Sequence, residues 1–334
     1  MWRSLVKFFQ SVKTKSPVIA MQCFAPHCNY RALGLAINIV IASGCSNPLN
    51  ASLTASSDKI RLGTFNLENF DGLNSEKVDT VSQIIERNFD VIGLQEISPI
   101  AADKLKEKLN KSQVWEFILG ETGNKQRVAL FYRKDLITAQ KVTEWKQVNL
   151  TGTLRSPLVT YLKTMPDGKG FDFTLVVVHQ KGGGGKDADR LRQNQSDRLR
   201  KEVDQYQSNP QSDPDLILVG DFNSPTWADQ NRGLRDAPLT FLTRNVETDA
   251  KENCLKKRGL PRAIDGRPRF SNRGTGCVID HIAISQAPKG AEEEYIPQSI
   301  QILDPQKDLG FDSDRTYFSK VSDHLPVRAI FRAK

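Results

Sequence analysis

The sequence predicts one α/β domain over residues 60–334, and three observations carry the prediction. Short apolar runs alternate with helical patterns from Ile60 to the end. The run Leu216-Ile217-Leu218-Val219 is apolar without interruption, as in a central strand buried on both faces. No linker-like break in composition divides the segment. With 334 residues, 38% of them hydrophobic and 26% charged, the chain can bury a sizeable core and carries no signature of disorder or collagen.

Taken in order, Ile60–Phe65 opens the domain as a strand. Val78, Val81, Ile84 and Ile85 share one helical face, and Asp90–Leu94 follows as a strand. Ser98 and Pro99 mark a helix start, serine as N-cap and proline in the first turn, and Leu105 and Leu109 continue its inward face. Val128–Tyr132, Leu158–Leu162 and Phe171–Val178 read as strands, and Asp187–Gln207 as a long polar helix. Ile279–Ile284 and Val327–Phe331 close the series.

Residues 1–45 read as a leader and 46–59, rich in Ser, Asn, Thr and Ala, as a flexible tether. The apolar run 32–44 follows basic residues and ends in small ones, the pattern of a secretory signal. It is shorter than the roughly 20 residues that span a bilayer. Ala42-Ser43-Gly44-Cys45 resembles a bacterial lipoprotein cleavage box, although leucine is usual where Ala42 stands. Export is the expectation, either with a lipid on Cys45 as membrane attachment or as plain secretion; Met21 is an alternative start. The net charge of +8 is mostly a property of the leader, since the rest of the chain holds 42 basic against 39 acidic residues. Global charge is therefore weak support for nucleic-acid binding. Beyond the leader two cysteines remain, Cys254 and Cys277, which in an exported protein read as a disulfide or else as two buried thiols.

Chemistry-bearing residues recur at strand ends. Gly220-Asp221-Phe222-Asn223 follows the central strand, where ligand sites of α/β sheets favour the carboxyl end, although Asp and Asn are also common turn residues there. On Ile279–Ile284, Asp280 shares the face of Ile282 and Ile284, so it is a carboxylate at the edge of the core that needs a partner. His324, in Ser322-Asp323-His324, is the candidate, because a carboxylate can fix an imidazole's tautomer and raise its basicity. His281 points to the opposite face and reads as structural. His179 extends the face of Phe173, Leu175 and Val177. Glu96 ends a strand and suits a hard cation such as Mg2+, with Asn66 helping to orient the cation or a phosphate, Glu68 as an alternative ligand and Asp323 as a metal or imidazole partner.

Thr64-Phe65-Asn66, Gln95-Glu96, the His179 strand, Gly220-Asp221-Phe222-Asn223, Ile279-Asp280-His281 and Ser322-Asp323-His324, in this order, resemble the endonuclease/exonuclease/phosphatase superfamily over about residues 60–334. The resemblance implies a four-layer α/β sandwich, two face-to-face mixed β-sheets flanked by helices. It implies that Glu96 binds Mg2+ or Mn2+ with support from Asn66 and Asp323, and that His324, oriented by Asp280, is general base towards the attacking water. Asp221 and Asn223 would position that water or a phosphate oxygen, and His179 would bind the scissile phosphate or protonate the leaving oxygen. Arg155 resembles the arginine at a strand start in deoxyribonuclease-like members, where guanidinium pairs with phosphate. Gly123-Asn124-Lys125-Gln126 lacks the tyrosine those members carry. Cys277 matches their cysteine placement.

The loop from Cys254 to Cys277 holds Lys256, Lys257, Arg258, Arg262, Arg267, Arg269 and Arg273 against one acid, Asp265, which fits either a polyanionic backbone or a solvated surface. The expected activity is hydrolysis of a phosphodiester in a nucleic acid substrate, DNA or RNA, by a monomer with no obligate protein partner. A phosphatase or phospholipase C-type hydrolase is the alternative, and a non-catalytic binding module the third reading.

Overall fold

A computed structural model of the protein describes residues 58–164, 170–247, 254, 262–263, 265–286 and 290–333. The leader, Cys45 and most of the tether fall outside the described residues, as do Lys256, Lys257 and Arg258.

Among the described residues the strands are β1 (Lys59–Phe70), β2 (Val91–Ile97), β3 (Trp115–Leu119), β4 (Arg127–Arg133), β5 (Ile137–Glu144), β6 (Leu158–Thr164), β7 (Asp172–His179), β8 (Leu216–Asp221), β9 (Leu239–Phe241), β10 (Asp280–Ser285), β11 (Gln301–Ile302) and β12 (Val327–Arg332). They build two six-stranded sheets, ordered β11-β12-β1-β2-β4-β3 and β5-β6-β7-β8-β10-β9. The pairs β1/β2 and β7/β8 are parallel and their other neighbours antiparallel, so both sheets are mixed.

Alternation along the strands creates the layers. Leu175, Val177, Ile217 and Val219 belong to the core shared with Phe65, Leu94 and Leu130 of the first sheet. α1 (Ser75–Asn88) and α2 (Pro99–Leu109) bury Val78, Val81, Ile85, Leu105 and Leu109 in that same core. Val176, Val178 and Leu218 point the other way and pack with Leu199 and Val203 of α3 (Lys186–Ser208). The short α4 (Arg232–Arg235) lies on α3, Leu234 N donating to Ser196 Oγ, and α5 (Asp314–Lys320) buries Tyr317 and Phe318. The expected four-layer sandwich is thus the observed one. Ser98 caps α2 as read from sequence, its Oγ accepting from Ala101 N at 3.1 Å with Pro99 in the first turn. No helix among the described residues is long and apolar enough to cross a membrane.

Gly93 lets the sheets approach. A Cβ built there would lie 2.7 Å from Val219 Cγ2 and 3.1 Å from Val177 Cγ1. Gly93→Ala must force these valines aside, and overpacking of this kind costs about 1–3 kcal/mol. Urea denaturation should register that loss; an unchanged midpoint would mean that the valines can yield freely.

β1 runs past the predicted end at Phe65. Its register against β2 shifts between Asn66 and Phe70, and Glu68 (φ 47°) and Asn69 (φ 50°) adopt left-handed backbone. Such a bulge re-aims side chains, and here Glu68 and Asn69 line the cleft described next.

Candidate active site

The second sheet sets up the site by register alone. Parallel pairing puts His179 opposite Asp221, and antiparallel pairing puts Asp280 opposite Asp221. Three titratable groups therefore stand abreast at one sheet end. The first sheet supplies the facing groups: Asn66 from β1, Glu96 from β2, and His324 just before β12. Asn66 bridges the sheets, its Nδ2 donating to Asp221 Oδ2 at 3.0 Å and to Glu96 Oε1 at 3.4 Å.

His324 is fixed from several sides. Its Nδ1 meets Asp280 Oδ2 at 2.8 Å, its carbonyl accepts from Tyr317 OH at 2.7 Å, and its N donates to Ser322 Oγ at 3.1 Å. Ser322 Oγ in turn donates to Asn66 O at 2.7 Å. With the Asp280 carboxylate accepting a hydrogen bond from Nδ1–H, Nε2 is left 3.8 Å from Asp221 Oδ2 and 3.7 Å from Asp323 Oδ1. Burial alone would lower the pKa of this ring, but the charges of Asp280, Asp221 and Asp323 outweigh it and raise the pKa. Asp221 is pushed up by burial and by Asp280, against the opposing pull of His324. The surrounding carboxylates thus make this ring more basic than a free imidazole.

His179 sits 3.6 Å from Asp221 Oδ2 and 3.8 Å from Glu96 Oε1 through Nε2. Burial, with Arg155, His324 and Lys181 adding positive charge, holds its pKa well below the usual imidazole value, so it is neutral. Its buried Nδ1 has no hydrogen-bond partner among the described residues. Asn223 (φ 51°) donates from Nδ2 to Asp221 Oδ2 at 3.0 Å and to Gln180 O at 3.1 Å. His281 is structural, as read: Nδ1 meets Thr243 Oγ1 at 2.7 Å, Nε2 donates to Ser224 O at 2.9 Å, and burial lowers its pKa to about 4.

Glu96 has left-handed backbone (φ 61°) at the end of its strand. Its Oε2 accepts from Asn69 N at 2.9 Å and from Gln126 Nε2 at 3.3 Å, while Oε1 faces His179. Glu68 and Asp323 line the same cleft. Among the described residues no lysine or arginine side chain forms an ion pair with Glu68, Glu96 or Asp323. Carboxylates gathered without a paired cation are a donor set that fits a hard divalent ion. Asp221, Asp280 and His324 form a second, fully buried group whose ligand atoms lie within 4.8 Å of one another, although Asp280 and His324 already engage each other. Asn66, expected to support the ion, accepts from Glu68 N at 3.0 Å through its oxygen and faces the carboxylates with its nitrogen, so it braces them.

Arg155 reaches the cleft through a residue that sequence reading missed. Its Nη2 donates to Gln126 Oε1 at 2.9 Å and its Nε to Gln126 O at 3.1 Å. Gln126 also donates to Asn69 Oδ1 and Glu96, linking the arginine to the acidic side. Lys181 and the glycine run after His179 complete a cleft of about 710 Å3. Two cations of the basic loop are held by acids elsewhere in the fold. Arg262 pairs with Asp304 and Asp314 at 2.5 Å each, Arg267 pairs with Asp308 at 2.9 Å, and Arg273 lies 5.4 Å over the Phe318 ring. Arg262 and Arg267 are therefore engaged within the fold. Cys254 and Cys277 stand with Cα atoms 4.7 Å apart, a separation that a disulfide spans.

Two packed mixed sheets whose strand ends gather carboxylates and imidazoles define a hydrolase-type sandwich. The chain belongs to the Endonuclease/Exonuclease/phosphatase family, which it matches over residues 63–324. No curated protein matches this sequence closely enough to count as a relative. Solved structures with the same fold include the human Nocturnin catalytic domain with bound sulfate anion, at 16% identity and a TM-score of 0.55, covering 83% of this chain and 94% of that one. They also include a Bacteroides thetaiotaomicron mannosyl-6-phosphatase (18%, 0.55, 81% and 98%) and D. rerio TDP2 complexed with single strand DNA product (16%, 0.53, 82% and 98%). Membership makes the chain a hydrolytic phosphoesterase of a group generally dependent on divalent metal.

Proposed function

We propose that the protein is an exported, Mg2+-dependent phosphodiester hydrolase that cuts DNA or RNA by in-line attack of water. One observation carries the reading: Glu96, His179, Asp221 and His324, up to 228 positions apart, line one cleft with Arg155. Glu96 would hold the ion, braced by Asn66 and with Asp323 at the rim. When bound, Mg2+ or Mn2+ neutralises charge that develops on the phosphoryl group and leaving oxygen. Arg155 and neutral His179 hold the phosphate oxygens. Asp221 and Asn223 aim the water, and its proton passes to the Asp221–His324 pair, with Asp280 fixing the imidazole. The leader directs export with a lipid on Cys45, Cys254 and Cys277 form a disulfide, and the catalytic domain 60–334 acts as a monomer.

The ion-paired Arg262 and Arg267 favour a second reading, in which the substrate is a smaller phosphate or lipid headgroup, because they subtract from the surface available to a polyanion. Plasmid DNA, RNA, the monoester p-nitrophenyl phosphate and phosphatidylcholine vesicles, each incubated with Mg2+, separate the two. Nicking that EDTA abolishes is the expected result, with Glu96→Gln losing turnover and requiring more Mg2+ for what remains. Monoester or headgroup cleavage without nicking would replace the first reading by the second.

A further inference from the structure

A second cavity of about 770 Å3 adjoins the cleft and shares Arg192, Asn223 and Thr275 with it. Its chemistry differs. The cleft is lined by carboxylates, histidines, arginines and a lysine, whereas the neighbour sets Pro225, Trp227, Ala228, Cys254 and Cys277 beside the uncharged polar Ser224 and Gln230, with Arg192 and Asp229 as its charged residues. Arg192 is already committed: Nη1 donates to Lys181 O at 2.9 Å and Gly183 O at 2.7 Å, and Nη2 pairs with Asp189. Trp227 is partly buried, packs against Cys254, Cys277 and Ile279, and lines the cavity. Asn223 stands at the junction, hydrogen-bonded to Asp221.

We infer that this cavity is a subsite for the base of the nucleotide flanking the scissile phosphate, stacked on Trp227. The inference rests on the phosphodiesterase reading. A phosphate near Asn223 leaves its ester substituent beside the cavity. The one cation in its lining among the described residues, Arg192, is already engaged, so a second phosphate would find no free positive charge there. A nucleobase offers a flat π-face to an indole, a contact that tolerates any base.

The test compares thymidine 5′-(p-nitrophenyl phosphate), methyl p-nitrophenyl phosphate and decyl p-nitrophenyl phosphate in Mg2+, which share a leaving group and differ in the flanking substituent. The full chain should prefer the thymidine ester to the methyl ester in kcat/KM by roughly tenfold or more, the scale of one base–aromatic stack. Trp227→Phe should keep most of that ratio, and Trp227→Leu, apolar but without a ring, should lose it. Equal rates on thymidine and methyl esters, a ratio indifferent to Trp227→Leu, or preference for the decyl ester would overturn the inference. Calorimetric binding of thymidine 5′-monophosphate against methyl phosphate separates the two levels. If no ester is cleaved, the hydrolase reading fails, while a thymidine preference that Trp227→Leu removes still supports the subsite and its absence rejects it.

Discussion

Glutamine at position 324 should lower the proposed phosphodiester turnover by roughly 10²- to 10⁴-fold, the usual worth of a positioned proton-transfer group, and leave the protein folded. The side chain matters because Nδ1 is held by Asp280 at 2.8 Å while Nε2 is directed towards Asp221 and Asp323. Glutamine can still donate an N–H to Asp280, which is fully buried, but it carries no titratable nitrogen. Alanine should lose the same turnover and stability besides, because it strands a buried carboxylate. Asp280→Asn combined with His324→Gln should cost little more than His324→Gln alone, since residues that act as a unit are not additive. Single-turnover rates on bis-p-nitrophenyl phosphate, with circular dichroism as the folding control, check these outcomes. Turnover within tenfold of the parent in His324→Gln would remove this residue from the proton path.

The largest effect on stability is expected at the opposite end of β2. Asp90 is fully buried just before that strand, and Arg61 grips it twice, Nε to Oδ2 at 3.0 Å and Nη2 to Oδ1 at 2.9 Å, while Arg61 N donates to Oδ2 at 2.9 Å. Arg133 adds its charge at 3.9 Å. Removing one partner of such a pair leaves charge uncompensated, so Asp90→Ala should cost about 3–5 kcal/mol in urea unfolding. Glu96 lies near the far end of the same strand, six positions on from Asp90, so the Mg2+ requirement of the folded variant should not move. A loss below about 1 kcal/mol would place the pair among ordinary surface ion pairs.

Sequence reading found the elements whose pattern is local. The helical spacing of Val78, Val81, Ile84 and Ile85, the Ser98-Pro99 cap and the apolar run of β8 are each complete within a few residues. It did not find β5, whose Thr138, Thr143 and neighbouring polar residues lie on a sheet edge, half in water, and so show no apolar face. β3 was hidden likewise, since Trp115 is its one fully buried residue. Candidate site residues were legible where they end apolar strands, as Glu96, His179 and Asp221 do. Gln126 ends no such run, and its importance comes from contacts with Asn69, Glu96 and Arg155 that no spacing encodes. Counting cations between Cys254 and Cys277 could not show that Arg262 and Arg267 are paired for the same reason: Asp304, Asp308 and Asp314, which occupy them, lie about 40 or more positions downstream.

The placement of β12 has a consequence for biosynthesis. It is the last strand in chain order, yet it enters the first sheet beside β1 and carries His324 at its entrance. During translation, a nascent chain that has formed every other layer still lacks its imidazole–carboxylate dyad and one neighbour of β1. The proposed catalytic dyad is therefore completed only by the closing ladder, and polypeptide that has not yet added β12 holds Asp280 without its imidazole.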